Sequence, residues 1–434
     1  MNTIDNIKEQ YRQLQSANGS SALTSLEQNA FNAFNQMGIP TVRNEEWKYT
    51  RIGSIFNKDF EFAPGRVVTS FSAADLAEIR LPGDAEVNEL VFVNGAYSSD
   101  LSSVRSASIE VMPLEDASKN QFSEIVSKHL GHSSQYIKDG ILALNTAFAK
   151  EGIFINIKKG KIVEHPIYIY HITDARSANI LSQPRSLIYV NEAAQVQLVE
   201  TYFTLGSAES FTNQVMEVVV EKDAVVENYI IQNDAAQTHS VTTSHFRQVG
   251  KSNVHVVTIT LNGGIVRNNL NMIMEADRCD SSMHGLYFIK GTTHVDNHTV
   301  VDNVNPHCLS NELYKGVISD QGTAVFNGKI FVRQAAQKTN AFQSNKNILL
   351  SDNATVNTKP QLEIFADDVK CSHGCTVGQL DEEGLYYLRS RGINKDKARS
   401  LLIHAFAIDV LDHIKPAAVR EYVNKMISER LELN

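Results

Sequence analysis

The sequence predicts a mainly β fold, a right-handed parallel β-helix held between helical ends. Three observations lead there. Beyond Gly152 the chain runs through Ile153–Ile157, Ile167–Tyr170, Val215–Val220 and Val254–Ile259, which alternate or are solidly apolar and β-branched, as strands require. Gln195–Val199, Val225–Tyr229 and Asn253–Val257 recur about every 28 to 30 residues, and Ala324–Phe326 and Thr355–Val356 continue the theme less regularly. A period of that length marks stacked repeats. No helical pattern separates the runs, so the array is a β-solenoid and not an ankyrin or leucine-rich one. The hexapeptide rhythm of left-handed β-helices is absent.

The elements follow in order. Residues 1–65 form a helical region: Ile4, Ile7, Tyr11 and Leu14 fall at helical spacing, as do Leu26, Ala30, Phe31 and Phe34 after a cap at Thr24. Gly38-Ile39-Pro40 stops the second helix, and the single tryptophan, Trp47, anchors this cap on the remainder. Residues 66–150 are a mixed α/β connection, with a strand at Leu90–Val93 and a helix near Phe122–Leu130. The β-helix spans 151–366. Residues 367–434 are helical again. Asp381 caps Glu382–Ser390, with Gly392 at its end, and Asn394 caps a helix carrying Ala398, Leu401, Leu402, Ala405, Ile408 and Leu411. After Lys415-Pro416 comes a last helix with Val419, Val423, Met426, Ile427 and Leu431. That much apolar surface suits packing on a partner or among the three helices themselves.

Composition narrows the function. A chain of 434 residues with net charge −9 and no Lys/Arg-rich run offers no grip on nucleic acid. No apolar stretch approaches the roughly 20 residues that span a bilayer, and the first residues lack a secretory or transit character. Four cysteines are too few for a disulfide framework. Reduced thiols in a cytoplasm are expected.

The chemistry concentrates in Lys370–Gly384. Cys371, His373 and Cys375 stand two apart, so an extended backbone turns all three to one face. Thiolate and imidazole suit zinc, copper and iron–sulfur centres. A closed structural zinc site needs four ligands; three at most are present, so another surface completes the site. The segment Asp367–Ile393 resembles the signature of the SufB/SufD family of iron–sulfur cluster scaffolds, on its SufD side. Gly38–Tyr49, Leu144–Ile169, His294–His298 and Pro306–Gly316 agree with the same family, so the likeness runs from about residue 38 to the C-terminus. It departs at Cys375, where the family pattern carries a small non-thiol residue.

The resemblance implies a β-helix core and a noncatalytic scaffold subunit that pairs with SufB through an edge of the β-helix. It also implies that the C-terminal helices dock the SufC ATPase, with Arg399, Leu402 and Phe406 as the dock. A transient iron–sulfur cluster would be shared with SufB at His373 and Cys371, with Cys375 a weaker ligand. No nucleotide, nucleic acid or membrane is expected on this chain, and a homodimer is an alternative pairing.

Other readings of the residues stay open. A SufB-like subunit would carry the cluster thiolate itself. A carbohydrate-active β-helix enzyme would use scattered groups such as Glu217, Glu227 and Arg267, but a glycosidase needs carboxylates paired across a groove. His294, Asp296 and His298 share a strand face and suit a metal, or hydrogen bonding along the stack. Gly250-Lys-Ser252 mimics the end of a P-loop, but its earlier glycine position is His245 and its flanks read as strands. Cys279 and Cys308 are expected to be small buried hydrophobes, and His307 has no derivable role.

Overall fold

The computed structural model describes residues 3–17, 23–65, 69–83 and 86–432. From Ile167 onward the chain alternates between two facing sheets, with two short strands, Ile180–Ser182 and Arg185–Val190, on its first visit to the second sheet and one strand per visit from Gln195. Every strand pair of the stack is parallel. One residue column, Gln195–Val225–Asn253–Asp280–Leu309–Asn340–Lys370, passes through successive turns of the first sheet. It is the repeat visible in the sequence. Ala324 and Thr355 belong to the other sheet, where Ala324 pairs with Val356 and Thr323 with Thr355. The irregular members of the sequence series are therefore a second, interleaved series.

Five corners of the solenoid are built in the same way. Ala193, Asp223, Arg278, His307 and Lys338 have φ between 55° and 62°. Each backbone N–H donates to a carbonyl of the next turn, at Lys222, Lys251, Pro306, Gln337 and Asp368 respectively. Left-handed backbone at non-glycine residues costs roughly 1–2 kcal/mol. The repeated inter-turn bond offsets that cost and gives His307 its role. Cys279 and Cys308, one residue after the corners at Arg278 and His307, are buried in the apolar interior and hydrogen-bond carbonyls, Sγ of Cys279 to Ala276 at 3.3 Å and Sγ of Cys308 to Asn305 at 3.3 Å. Gly250–Ser252 forms a corner followed by the strand Asn253–Asn262.

Strands Asn88–Val93 and Ile109–Pro113, from the connecting region, extend the two sheets at their N-terminal end. The helix Thr24–Met37 takes Leu23 as its cap residue, and Thr24 is its first helical residue, one step inside the expected position. Gly38, at φ 64°, ends it through a backbone bond to the Phe34 carbonyl. Trp47 is buried, donates from Nε1 to Asp139 at 3.0 Å, and lies 3.9 Å from the Arg267 guanidinium on the sheet below.

Candidate functional site

The solenoid runs on to Gly378, past the expected end at 366, and among the described residues no further strand covers its C-terminal edge. The last strand of each sheet, Lys370–Gly378 and Thr355–Ile364, pairs with a strand on one side only. Open edges of this kind are where a further strand adds. The strand Lys370–Gly378 continues the interior-facing columns: Ala341 pairs with Cys371, Gln343 with His373, Asn345 with Cys375, and Asn347 with Val377. The first-named of each pair is buried. Cys371 is half-buried against the apolar interior, and its thiol pKa is pushed up by burial; His373 and Cys375 are exposed. Period-two spacing therefore brings the three side chains to one face, as read from the sequence. They do not close on one another: among the described residues they form no group whose ligand atoms all lie within 4.8 Å.

Beneath this strand lies a polar layer that the sequence reading missed. Gln343 Nε2 donates to Glu312 at 2.6 Å, and burial raises the Glu312 pKa to about 7. Asn345 donates to the Tyr287 hydroxyl at 2.9 Å, that hydroxyl donates to Asn347 at 2.5 Å, and Asn347 returns a bond to Asn345 at 2.7 Å. The signal was there in Gln343, Asn345 and Asn347, polar residues at period two in a strand otherwise fit for an apolar interior.

The remaining candidates are tied into the fold. Asp296 accepts from Arg267 at 2.8 Å and from Thr50 at 2.5 Å, and lies 2.9 Å from His298; His294 meets the same Thr50 hydroxyl at 2.9 Å. Burial opposes the charge on Asp296, but His298 and Arg267 outweigh it and hold the carboxylate well below its usual range. This face receives the N-terminal cap. Glu217 is fully enclosed, accepts from Arg185 at 2.6 Å and from the N–H groups of Gly131 and Ser133 at 2.8 Å each, and is held down to about 2 against the opposing effect of burial, by Arg185 first. Glu227 pairs with Lys415 and accepts from Tyr229 at 3.0 Å. Glu217, Glu227 and Arg267 are thus engaged within the fold and do not form an opposed acid pair.

The C-terminal helices are Glu382–Ser390, Lys395–Leu411 and Ala417–Glu432, with Asp381 and Asn394 capping as expected. Their apolar stripe packs on the outer face of this chain's own first sheet: Ile403, Ala407, Val410, Val419, Val423 and Ile427 join Val257, Ile259, Leu286, Phe288 and Val317 in one cluster. That part of the apolar surface is covered within the chain, by the sheet as well as by helix on helix. Leu402 and Phe406 are partly buried in that cluster and Arg399 is half-exposed, while Leu401 and Ile408 on the same helix, and Tyr386 and Tyr387 on the preceding one, face solvent. Among the described residues no helix is long and apolar enough to cross a membrane.

Comparison with known proteins agrees with this architecture. Residues 171–406 match the family model for the SUF system FeS cluster assembly SufBD core domain, and residues 3–169 that for the SufBD protein N-terminal region. An iron–sulfur cluster assembly SufBD family protein of Synechocystis sp. is 32% identical over 420 residues, 94% of this chain and 91% of that protein. The iron–sulfur cluster assembly protein SufD of Escherichia coli is 29% identical over 401 residues, 91% of this chain and 90% of that protein. A chloroplastic protein of Arabidopsis thaliana, ABCI7, is 31% identical over 288 residues, 64% and 60% of the two chains.

Proposed function

Because the chain belongs to the SufBD family of SUF iron–sulfur cluster assembly proteins, we propose that it works as a SufD-type scaffold subunit in the cytoplasm, without catalytic activity of its own. One observation carries the reading. Cys371, His373 and Cys375 share one face of a terminal strand whose outer edge is free. A strand edge of SufB added there would bring its own ligands beside His373 and Cys371, and the growing cluster would be cargo held across the seam. Two features favour transfer over storage. The ligand set is incomplete on this chain, and burial disfavours the Cys371 thiolate until a metal replaces its proton. SufC would dock on the outward side of the C-terminal helices.

The test is co-expression of the chain with SufB and SufC, comparing wild type with His373→Ala after anaerobic purification. An intact complex that loses iron–sulfur absorbance supports the reading. An intact complex with unchanged cluster content removes His373 from the site, and failure of the wild type to assemble removes the SufD-type role.

A further inference from the structure

We propose that His255, His284 and His413 form a binding site for a divalent transition-metal ion of the Zn2+ class, which clamps the C-terminal helices to the solenoid. The site stands on the outer face of the first sheet and owes nothing to the scaffold reading.

The placement comes from the register. His255 pairs with Ser282 on the neighbouring parallel strand, and Val257 with His284, so the two histidines project from the same face, offset by two residues. His413 comes from the link between the last two helices, just past Leu411. One ring nitrogen of each lies within 4.8 Å of those of the other two, and this is the group of potential ligands that closes in this way among the described residues. His255 also touches the His413 backbone carbonyl through Nε2 at 2.9 Å, and its Nδ1 meets the Ser282 hydroxyl at 2.6 Å.

A second observation points to a missing occupant. His284 is 7% exposed, and its Nδ1 is buried with no hydrogen-bond partner. Buried polar atoms are rarely left so, because each unsatisfied one costs about 1–3 kcal/mol. Burial is the main cause that lowers the pKa of all three, that of His284 to about 3. The rings are therefore neutral near pH 7, the form that ligates metal.

The geometry is near closure. The His284 and His413 rings stack face to face at 3.5 Å with 18° between planes. An ion with Zn–N bonds of about 2.0–2.1 Å needs the lone pairs to converge, which requires one ring to turn. His413 is exposed and lies beyond the end of a helix, so its ring is the one with room to leave the stack. Three imidazoles favour Zn2+, Co2+, Ni2+ or Cu2+ over Mg2+ or Ca2+, which prefer oxygen donors.

The experiment uses tag-free full-length chain, stripped of metal, in a Cys371→Ser, His373→Ala, Cys375→Ser background so that the terminal strand does not compete. Zn2+ and Co2+ are added separately and bound metal is measured after dialysis. The expected result is one ion per chain and a raised melting temperature. The Co2+ form should show d–d bands without thiolate charge transfer, and Mg2+ should give no shift. His413→Ala, at an exposed position, should keep the fold and weaken binding on the order of 10²-fold or more, since changes even outside the ligand set cost 10–100-fold. Absence of binding in the parent, or binding unchanged by both His413→Ala and His284→Asn, overturns the site.

Discussion

Tyr287 and Gly316 are register partners in the solenoid interior, and the Tyr287 ring occupies the space where a side chain at 316 would begin. A Cβ there would stand 2.2 Å from the ring and 2.4 Å from Asn347 Oδ1. Two residues back along the same strand pair the roles reverse, and Tyr314 fills the space beside Gly285. The bond between the Tyr287 hydroxyl and the Asn345–Asn347 layer depends on this nesting. Gly316→Ala should therefore cost about 1–3 kcal/mol, the usual price of overpacking. Urea denaturation measures it. Coupling to Tyr287→Leu in a double-mutant cycle separates a ring clash from a backbone effect, and an unchanged midpoint in Gly316→Ala would exclude the nesting.

How much of this was legible beforehand depends on separation along the chain. The strand runs, the caps at Asp381 and Asn394, the stop at Gly38 and the shared face of Cys371, His373 and Cys375 all follow from residues a few positions apart. The packing of the last helices did not. Val257, Ile259, Leu286 and Phe288 are outer-face residues, but they sit in strands whose inner face is apolar too, so the runs read as solid core and hid the second face. Nothing local marks Gly285 and Gly316 as seats for tyrosine rings, nor brings His413 to His255 across 158 residues.

Glu312 supplies a pH dependence. Its folded pKa, about 7, stands above the ordinary 4.5 because the carboxyl is buried. Between those values the folded chain keeps a proton that the unfolded chain has lost, so stability falls as pH rises through the window and is level above it. Glu27, also raised to about 7 by burial, adds a slope of the same sign. Glu217 and Glu46, held down to about 2, lose their contribution only as pH falls below the ordinary carboxylate range. Glu312→Gln should remove roughly 3 kcal/mol of the fall across the window. Denaturation midpoints at both ends of the window check it, and a slope as steep as wild type would show that Glu312 ionises freely.

On the helix Lys395–Leu411 the residues that pack on the sheet differ from those that face solvent. Leu402 and Phe406 are partly buried against the sheet, and Lys315 lies 4.5 Å from the Phe406 ring, donates to its carbonyl at 2.9 Å and pairs with Asp409. A carboxylate at 402 or 406 would be forced into that cluster, so Leu402→Glu and Phe406→Glu should lower the stability of the isolated chain by about 1–3 kcal/mol. Loss of SufC recovery in those variants would then report misfolding as much as a lost contact. Leu401 and Ile408 are 44% and 39% exposed. Leu401→Glu and Ile408→Glu should leave the melting temperature nearly unchanged, within about 0.5 kcal/mol in stability, and still diminish SufC co-purification if this helix is the dock. Full recovery of SufC with both exposed variants, at wild-type stability, moves the dock off the helix and toward Tyr386 and Tyr387 on Glu382–Ser390, which are more exposed still.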